Sequence, residues 1–260
     1  MSRNPQKGQG APPDGGSCPG DECRPAASLQ WGIDSTSSLV ENRVVGEPPV
    51  AENQETLTGG LQAAAATVEA LARALELHDY RRGQFGETSA HTARVTQLAM
   101  RLTGDVAPEL TFDPQLAYGF RLHDIGMIGV STSALVKPGP LSPADLDEIR
   151  EHPWLGERIV APVPSLGGLT RHVIACHHER WDGSGYPRGL RGAEIPVAAR
   201  IFAIVDAHDA MTNDQPYRDA LPVEAARDEI LAKAGIHFDP EIVTVFLGLE
   251  LPETASPVEL

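Results

Sequence analysis

Residues 115–125 read Gln-Leu-Ala-Tyr-Gly-Phe-Arg-Leu-His-Asp-Ile, with Pro108 and Pro114 before them. The stretch is predicted to be a helix that carries the doublet His123-Asp124 close to its end. Helical patterns recur on both sides of it. Upstream, residues 61–77 are alanine-rich with Leu and Val at helical spacing, and a polar break at 79–86 separates them from a second helix at 88–102. Val95, Leu98, Ala99 and Leu102 form the apolar stripe of that second helix. Downstream, Ser142 is placed as an N-cap with Pro143 at the first helical position. Further helices are predicted at 153–160, 166–178, 197–211, 223–234 and 240–249. No alternation of β-branched residues persists beyond a few positions, so the fold is expected to be all-α, with helices carrying polar side chains inward.

Residues 1–56 are rich in Gly, Pro, Ser, Asn and charge. Such a segment cannot bury enough apolar surface to offset its ordering entropy, and is expected to be disordered. Its Cys18 and Cys23 are read as free thiols, since no further metal ligands lie close by. One domain is expected at 57–250, followed by a tail at 251–260. The 21 basic residues against 36 acidic ones give a formal charge of −15, which argues against a DNA- or RNA-binding surface. No apolar run is long enough to cross a membrane. The N-terminus lacks the apolar core of a secretory signal, and cytoplasmic residence is the expectation.

Eight candidate metal ligands crowd the middle of the chain: Glu87, His91, His123, Asp124, His152, His177, His178 and Asp206. Glu87 and His91 are four residues apart, a spacing that puts both on one face of a helix. Adjacent helical residues point about 100° apart, so the doublets His123-Asp124 and His177-His178 suit different ions of a cluster better than one ion. Imidazoles mixed with carboxylates suit iron or manganese, with zinc also acceptable. His78, His172, His208 and His237 are read as ordinary capping or surface histidines, with His208 pointing away from the face that carries Asp206.

The segments Arg-Leu-His-Asp-Ile-Gly at 121–126 and His-His-Glu-Arg-Trp-Asp-Gly-Ser-Gly-Tyr-Pro at 177–187 resemble the HD-GYP branch of the HD phosphohydrolase superfamily. Similar text stands at 136–141, 152–156, 206–212 and 237–241. The resemblance implies an HD-domain helical bundle with an irregular GYP loop, and hydrolysis of cyclic di-GMP to pGpG, with GMP as a further product. It implies two or three divalent metal ions held by the seven ligands from His91 to Asp206, with Glu87 resembling the extra carboxylate of trinuclear members. A water activated between the cations would attack phosphorus in line. Asp124 is cast as a metal bridge, and Asp209, one turn beyond Asp206, as a group holding a ligand or water in place.

Tyr186 and Trp181 are expected either to rim the pocket, where guanine could stack, or to belong to a packed turn whose exit Pro187 fixes. The resemblance adds docking of a diguanylate cyclase (GGDEF) partner on this loop; a homodimer is left open. Two positions depart from the family text: Met127 and Gln215 stand where basic residues are usual. Arg218 remains to meet substrate phosphate, with Lys137, Arg180, Arg188 or Arg191 expected to compensate from loops, each such contact contributing about 1.5–3 kcal/mol. The departures keep alive two other readings, a hydrolase of another phosphoester or cyclic dinucleotide, and a weakly catalytic nucleotide- or cyclase-binding scaffold.

Overall fold

The computed structural model describes residues 50–80, 87–131, 141–214 and 219–251, without the side chains of 50–58, 80 and 87. The side chain of Glu87, together with Lys137, Gln215 and Arg218, therefore lies outside the described residues, as do both tails. Among the described residues the α-helices are α1 (Val50–Tyr80), α2 (Glu87–Val106), α3 (Pro114–Arg121), α4 (Pro143–Ile149), α5 (His152–Val160), α6 (Gly168–Cys176), α7 (Val197–Thr212), α8 (Val223–Ala232) and α9 (Pro240–Gly248). The β-pairing among them amounts to one isolated bridge between Ala234 and Phe238. The all-α expectation holds.

α7 is the central helix. Ala198, Ile201, Phe202, Ile204 and Val205 are all fully buried. Val95, Ala99 and Leu102 of α2, Ile230 of α8, and Ile242, Val243 and Phe246 of α9 join them in one apolar cluster. Phe120 of α3 stacks on Phe202 with ring centroids 5.3 Å apart. A second cluster forms where Val68 and Leu75 of α1 meet Leu122, Ile125, Val160, Leu166 and Ile174. The spacing of Ala64, Val68, Leu71, Ala72 and Leu75 is the stripe that lays α1 on this face.

Helix starts follow local rules. Asp113 accepts from Gln115 N ahead of Pro114, and Ser142 with Asp145 forms a capping box ahead of Pro143. Asp239 caps α9 and also accepts Arg200 Nη1 at 2.6 Å.

Helix boundaries differ from the expected ones at several ends, and α2 runs on to Val106 rather than stopping at 102. The first helix runs from Val50 to Tyr80, well beyond 61–77. The third helix stops at Arg121 rather than continuing to 125. The helix expected at 166–178 is α6, which ends at Cys176. Both histidine-bearing doublets thus sit in turns just past a helix, not on one.

The reason for the earlier stop at Arg121 lies in Gly126. Residues Ile125–Gly129 form a tight 3-10 turn pressed against α5. A Cβ on Gly126 would lie 1.9 Å from the carbonyl oxygen of His152 and 2.5 Å from Gly156 N. Backbone contact this close requires the chain to turn away from the α3 axis, and it carries Asp124 to His152.

Candidate metal centre

The seven described candidate ligands come together. Asp124, His152, His177 and His178 form one group, and His91, His123 and Asp206 a second, with ligand atoms in each group within 4.8 Å of one another. Asp124 joins them. Its Oδ1 lies 3.2 Å from His152 Nε2 and 3.6 Å from His177 Nε2, while its Oδ2 lies 3.4 Å from His123 Nε2. One carboxylate therefore turns an oxygen toward each group. The rings of His123 and His177 are 5.4 Å apart, and Phe202 packs 4.7 Å from His123, so the floor of the site is the core itself.

Ring orientation is fixed from behind. His123 Nδ1 meets the carbonyl of Phe120 at 3.0 Å, His152 Nδ1 that of Ile149 at 2.7 Å, and His177 Nδ1 that of Ile174 at 3.0 Å. A carbonyl can only accept, so each Nδ1 carries a proton, and each Nε2 presents a lone pair to the centre when the ring is neutral. His91 Nδ1 instead meets Asp209 Oδ2 at 2.8 Å, leaving Nε2 3.5 Å from Asp206 Oδ1. His178 is held by stacking on Tyr186, 4.8 Å between centroids at 26°.

This arrangement fits cations. His152 Nε2 and His177 Nε2 face each other at 3.1 Å, and with both Nδ1 atoms already donating, neither can donate to the other. Two opposed lone pairs repel unless something positive stands between or beside them. The donors are imidazole and carboxylate throughout. Cys176, one residue away, is buried with its thiol pushed up to about 12 by burial, and takes no part.

The electrostatics say the same. Burial opposes charge on His123, but Asp124, by its charge and a direct hydrogen bond, and Asp206 outweigh it and raise the pKa from 6.5 to about 9. Asp124 is driven well below its usual range: burial opposes this, yet His123 above all, with the imidazoles of His152 and His177 beside it, prevails. Burial first, then neighbouring imidazoles, push His177 and His178 down. In chelator, a proton on His123 takes the place of positive charge.

A pH dependence follows. The folded pKa of His123 lies above its unfolded value, so its stabilisation is complete below pH 6.5 and is lost as pH rises through about 9. Metal has to displace that proton, so metal affinity should rise across the same window. Thermal melts in chelator and metal titrations, each at pH 6.5 and above pH 9, should move in opposite directions. Parallel movement would contradict the assignment.

The remaining expected residues divide. Asp209, buried on α7, stands behind His91 and not among the converging atoms. Its carboxyl is lowered, against its burial, by His91 and Arg94. Arg180 is exposed at the loop. Tyr186 packs on His178, with the guanidinium of Arg150 5.9 Å over its ring, and Arg200 lies over Trp181.

The packed-turn reading of the loop has physical support. Buried Glu179 accepts the backbone N–H of Arg188 and Leu190, and Arg188 reaches Glu157 at 2.7 Å. Gly185 sits where a Cβ would be 2.3 Å from Arg180 N, and Gly183 needs a φ of +81°. Met127 packs into the apolar cluster beneath α1. His208 turns away from the centre, as expected, but it is buried with its ring against Phe246 and not at the surface.

Sequence reasoning missed Arg94, Phe202 and Glu179. Only Arg94 left a signal, three residues after His91 on the same helical face.

Residues 84–242 match the HD domain, and this stretch holds all eight candidate ligands. The chain belongs to the HD domain family. A cyclic di-GMP phosphodiesterase of Thermotoga maritima is 40% identical over 168 residues, 63% of this chain and 45% of that protein. The cyclic di-GMP phosphodiesterase response regulator RpfG of Xanthomonas campestris pv. campestris is 36% identical over 186 residues, 70% of this chain and 47% of that protein. The 3′3′-cGAMP-specific phosphodiesterase 2 of Vibrio cholerae is 35% identical over 162 residues, 62% of this chain and 31% of that protein.

Among solved structures, Bd1817, an HDG"Y"P protein from Bdellovibrio bacteriovorus, shares the fold at a TM-score of 0.50 and 19% identity, covering 75% of this chain and 65% of that one. These relatives bear out the HD-GYP resemblance carried by 121–126 and 177–187. The HD domain chain spans less than half the length of the three relatives matched by sequence.

Proposed function

We propose that this HD domain is a metal-dependent phosphodiesterase that hydrolyses cyclic di-GMP to linear pGpG, with GMP as a further product. The observation that carries the reading is the pair of imidazole–carboxylate groups sharing Asp124. Two or three divalent ions, iron or manganese before zinc, suit that donor set. When bound, such ions supply an acidified water and neutralise charge building on phosphate oxygens. The chain's own part is positioning. Backbone carbonyls aim His123, His152 and His177, Asp209 aims His91, and Tyr186 braces His178. Asp124 spans both groups, and Asp206 supplies the carboxylate of the second.

The test is direct. Protein purified without oxygen and loaded with iron or manganese is mixed with cyclic di-GMP, and the products are separated by chromatography. Linear pGpG supports the proposal; intact cyclic dinucleotide at stoichiometric metal loading refutes it.

A second reading is hydrolysis of 3′3′-cGAMP. The similarity to the Vibrio cholerae enzyme of that specificity favours it, as does Met127, apolar and packed where the family carries a cation. Running both substrates side by side separates the two. Docking of a diguanylate cyclase on the exposed edge of the GYP loop, and residence in the cytoplasm, belong to the same proposal. No described helix is long and apolar enough to cross a membrane.

A further inference from the structure

We propose that Arg94 is a positioning residue that fixes the His91 group through Asp209, and that this group is the more weakly held half of the centre. The inference rests on the metal-centre reading above.

Three of the four anchored rings rely on a carbonyl three residues back in their own chain segment. Their orientation is local, and it survives as long as that one turn survives. His91 has a different support. Its Nδ1 donates to a carboxylate 118 residues further along the chain, on α7. A side chain has rotamer freedom that a helical carbonyl lacks, so this support needs a support of its own.

Arg94 supplies it. Its Nε donates to Asp209 Oδ1 at 2.6 Å and its Nη2 to Oδ2 at 2.9 Å, the fork-to-fork geometry that fixes the carboxylate plane. Oδ2 is also the atom that accepts from His91. The Asp209 side chain is 8% exposed, so few waters can replace a lost donor. Arg94 and His91 share one face of α2, three residues apart, and together they grip one carboxylate of α7.

Without the guanidinium, Asp209 is free to rotate. His91 then loses the bond that sets its tautomer, and Nε2 is no longer held 3.5 Å from Asp206 Oδ1. In the other group, His152 and His177 are aimed by backbone carbonyls instead.

Manganese(II) titration of the metal-free full chain, in competition with a chromophoric chelator, tests this. In Arg94→Gln one equivalent should bind about 10–100-fold more weakly, the range seen when a residue behind a ligand is removed, while the other is unchanged. Arg94→Lys keeps a cation but not the fork, so it should fall between wild type and Arg94→Gln. Should Arg94→Gln fail to fold, judged by circular dichroism in chelator, the lysine variant still decides through the same selective loss. Equal weakening of all equivalents, or none, in the folded variants overturns the inference alone. A wild-type chain that binds no manganese overturns the proposed function, and this inference with it.

Discussion

Asp124→Asn should lower turnover of cyclic di-GMP by about 1,000-fold or more while leaving the chain folded. The amide keeps the size of the carboxylate but loses its charge, and Asp124 is the side chain that faces both ligand groups. Metal-centred charge stabilisation is worth several kcal/mol, and each ~1.4 kcal/mol is a factor of ten in rate, so losing about 4 kcal/mol gives the stated effect. A second readout is independent of activity. In chelator, the pKa of His123 should fall from about 9, because Asp124 is the leading influence raising it. Imidazole shifts followed by NMR against pH check this. A variant with wild-type rate, or an unmoved His123, would remove Asp124 from its assigned place.

Gly126→Ala should destabilise the fold by about 3 kcal/mol or more, at the upper end for overpacking. The added Cβ would meet the carbonyl oxygen of His152 at 1.9 Å and Gly156 N at 2.5 Å, backbone atoms with no rotamer to change. α5 would have to move, and His152 with it. Gly104 in α2 is the control: nothing lies within 4 Å of its Cβ position, so Gly104→Ala should stabilise by about 0.5–1 kcal/mol. Denaturant unfolding in chelator measures both without the contribution of bound metal. Equal stability of the Gly126 variant and the wild type would sink the close-contact account.

Much of this architecture was legible in the chain. Ser142, Pro143 and Pro114 mark helix starts through groups the first turn needs or can spare, which is local chemistry. The last three helices fall within a few residues of their expected bounds because their apolar spacing is long and uninterrupted. The ligand set was legible because imidazole and carboxylate side chains are too costly to gather in a core without a common purpose.

What was not legible depends on distant contacts. Nothing near Arg121 says the helix ends there; the stop comes from α5 pressing on Gly126, some thirty residues away in sequence. Neither doublet therefore has the helical geometry expected of it: His123 and Asp124 still divide between the two groups as expected, whereas His177 and His178 fall together in one group. Arg94 was passed over because an arginine on a helix usually faces water. Its partner Asp209 lies on another helix, and the pairing exists only once α2 and α7 are packed.

Three of the rings are anchored by carbonyls in the last turns of α3, α4 and α6, oxygens that a helix leaves without an internal donor. Fraying at such an end and misalignment of the nitrogen beyond it are then a single event. Three electronegative helix termini also point inward, so the backbone itself draws positive charge to this spot before any side chain acts.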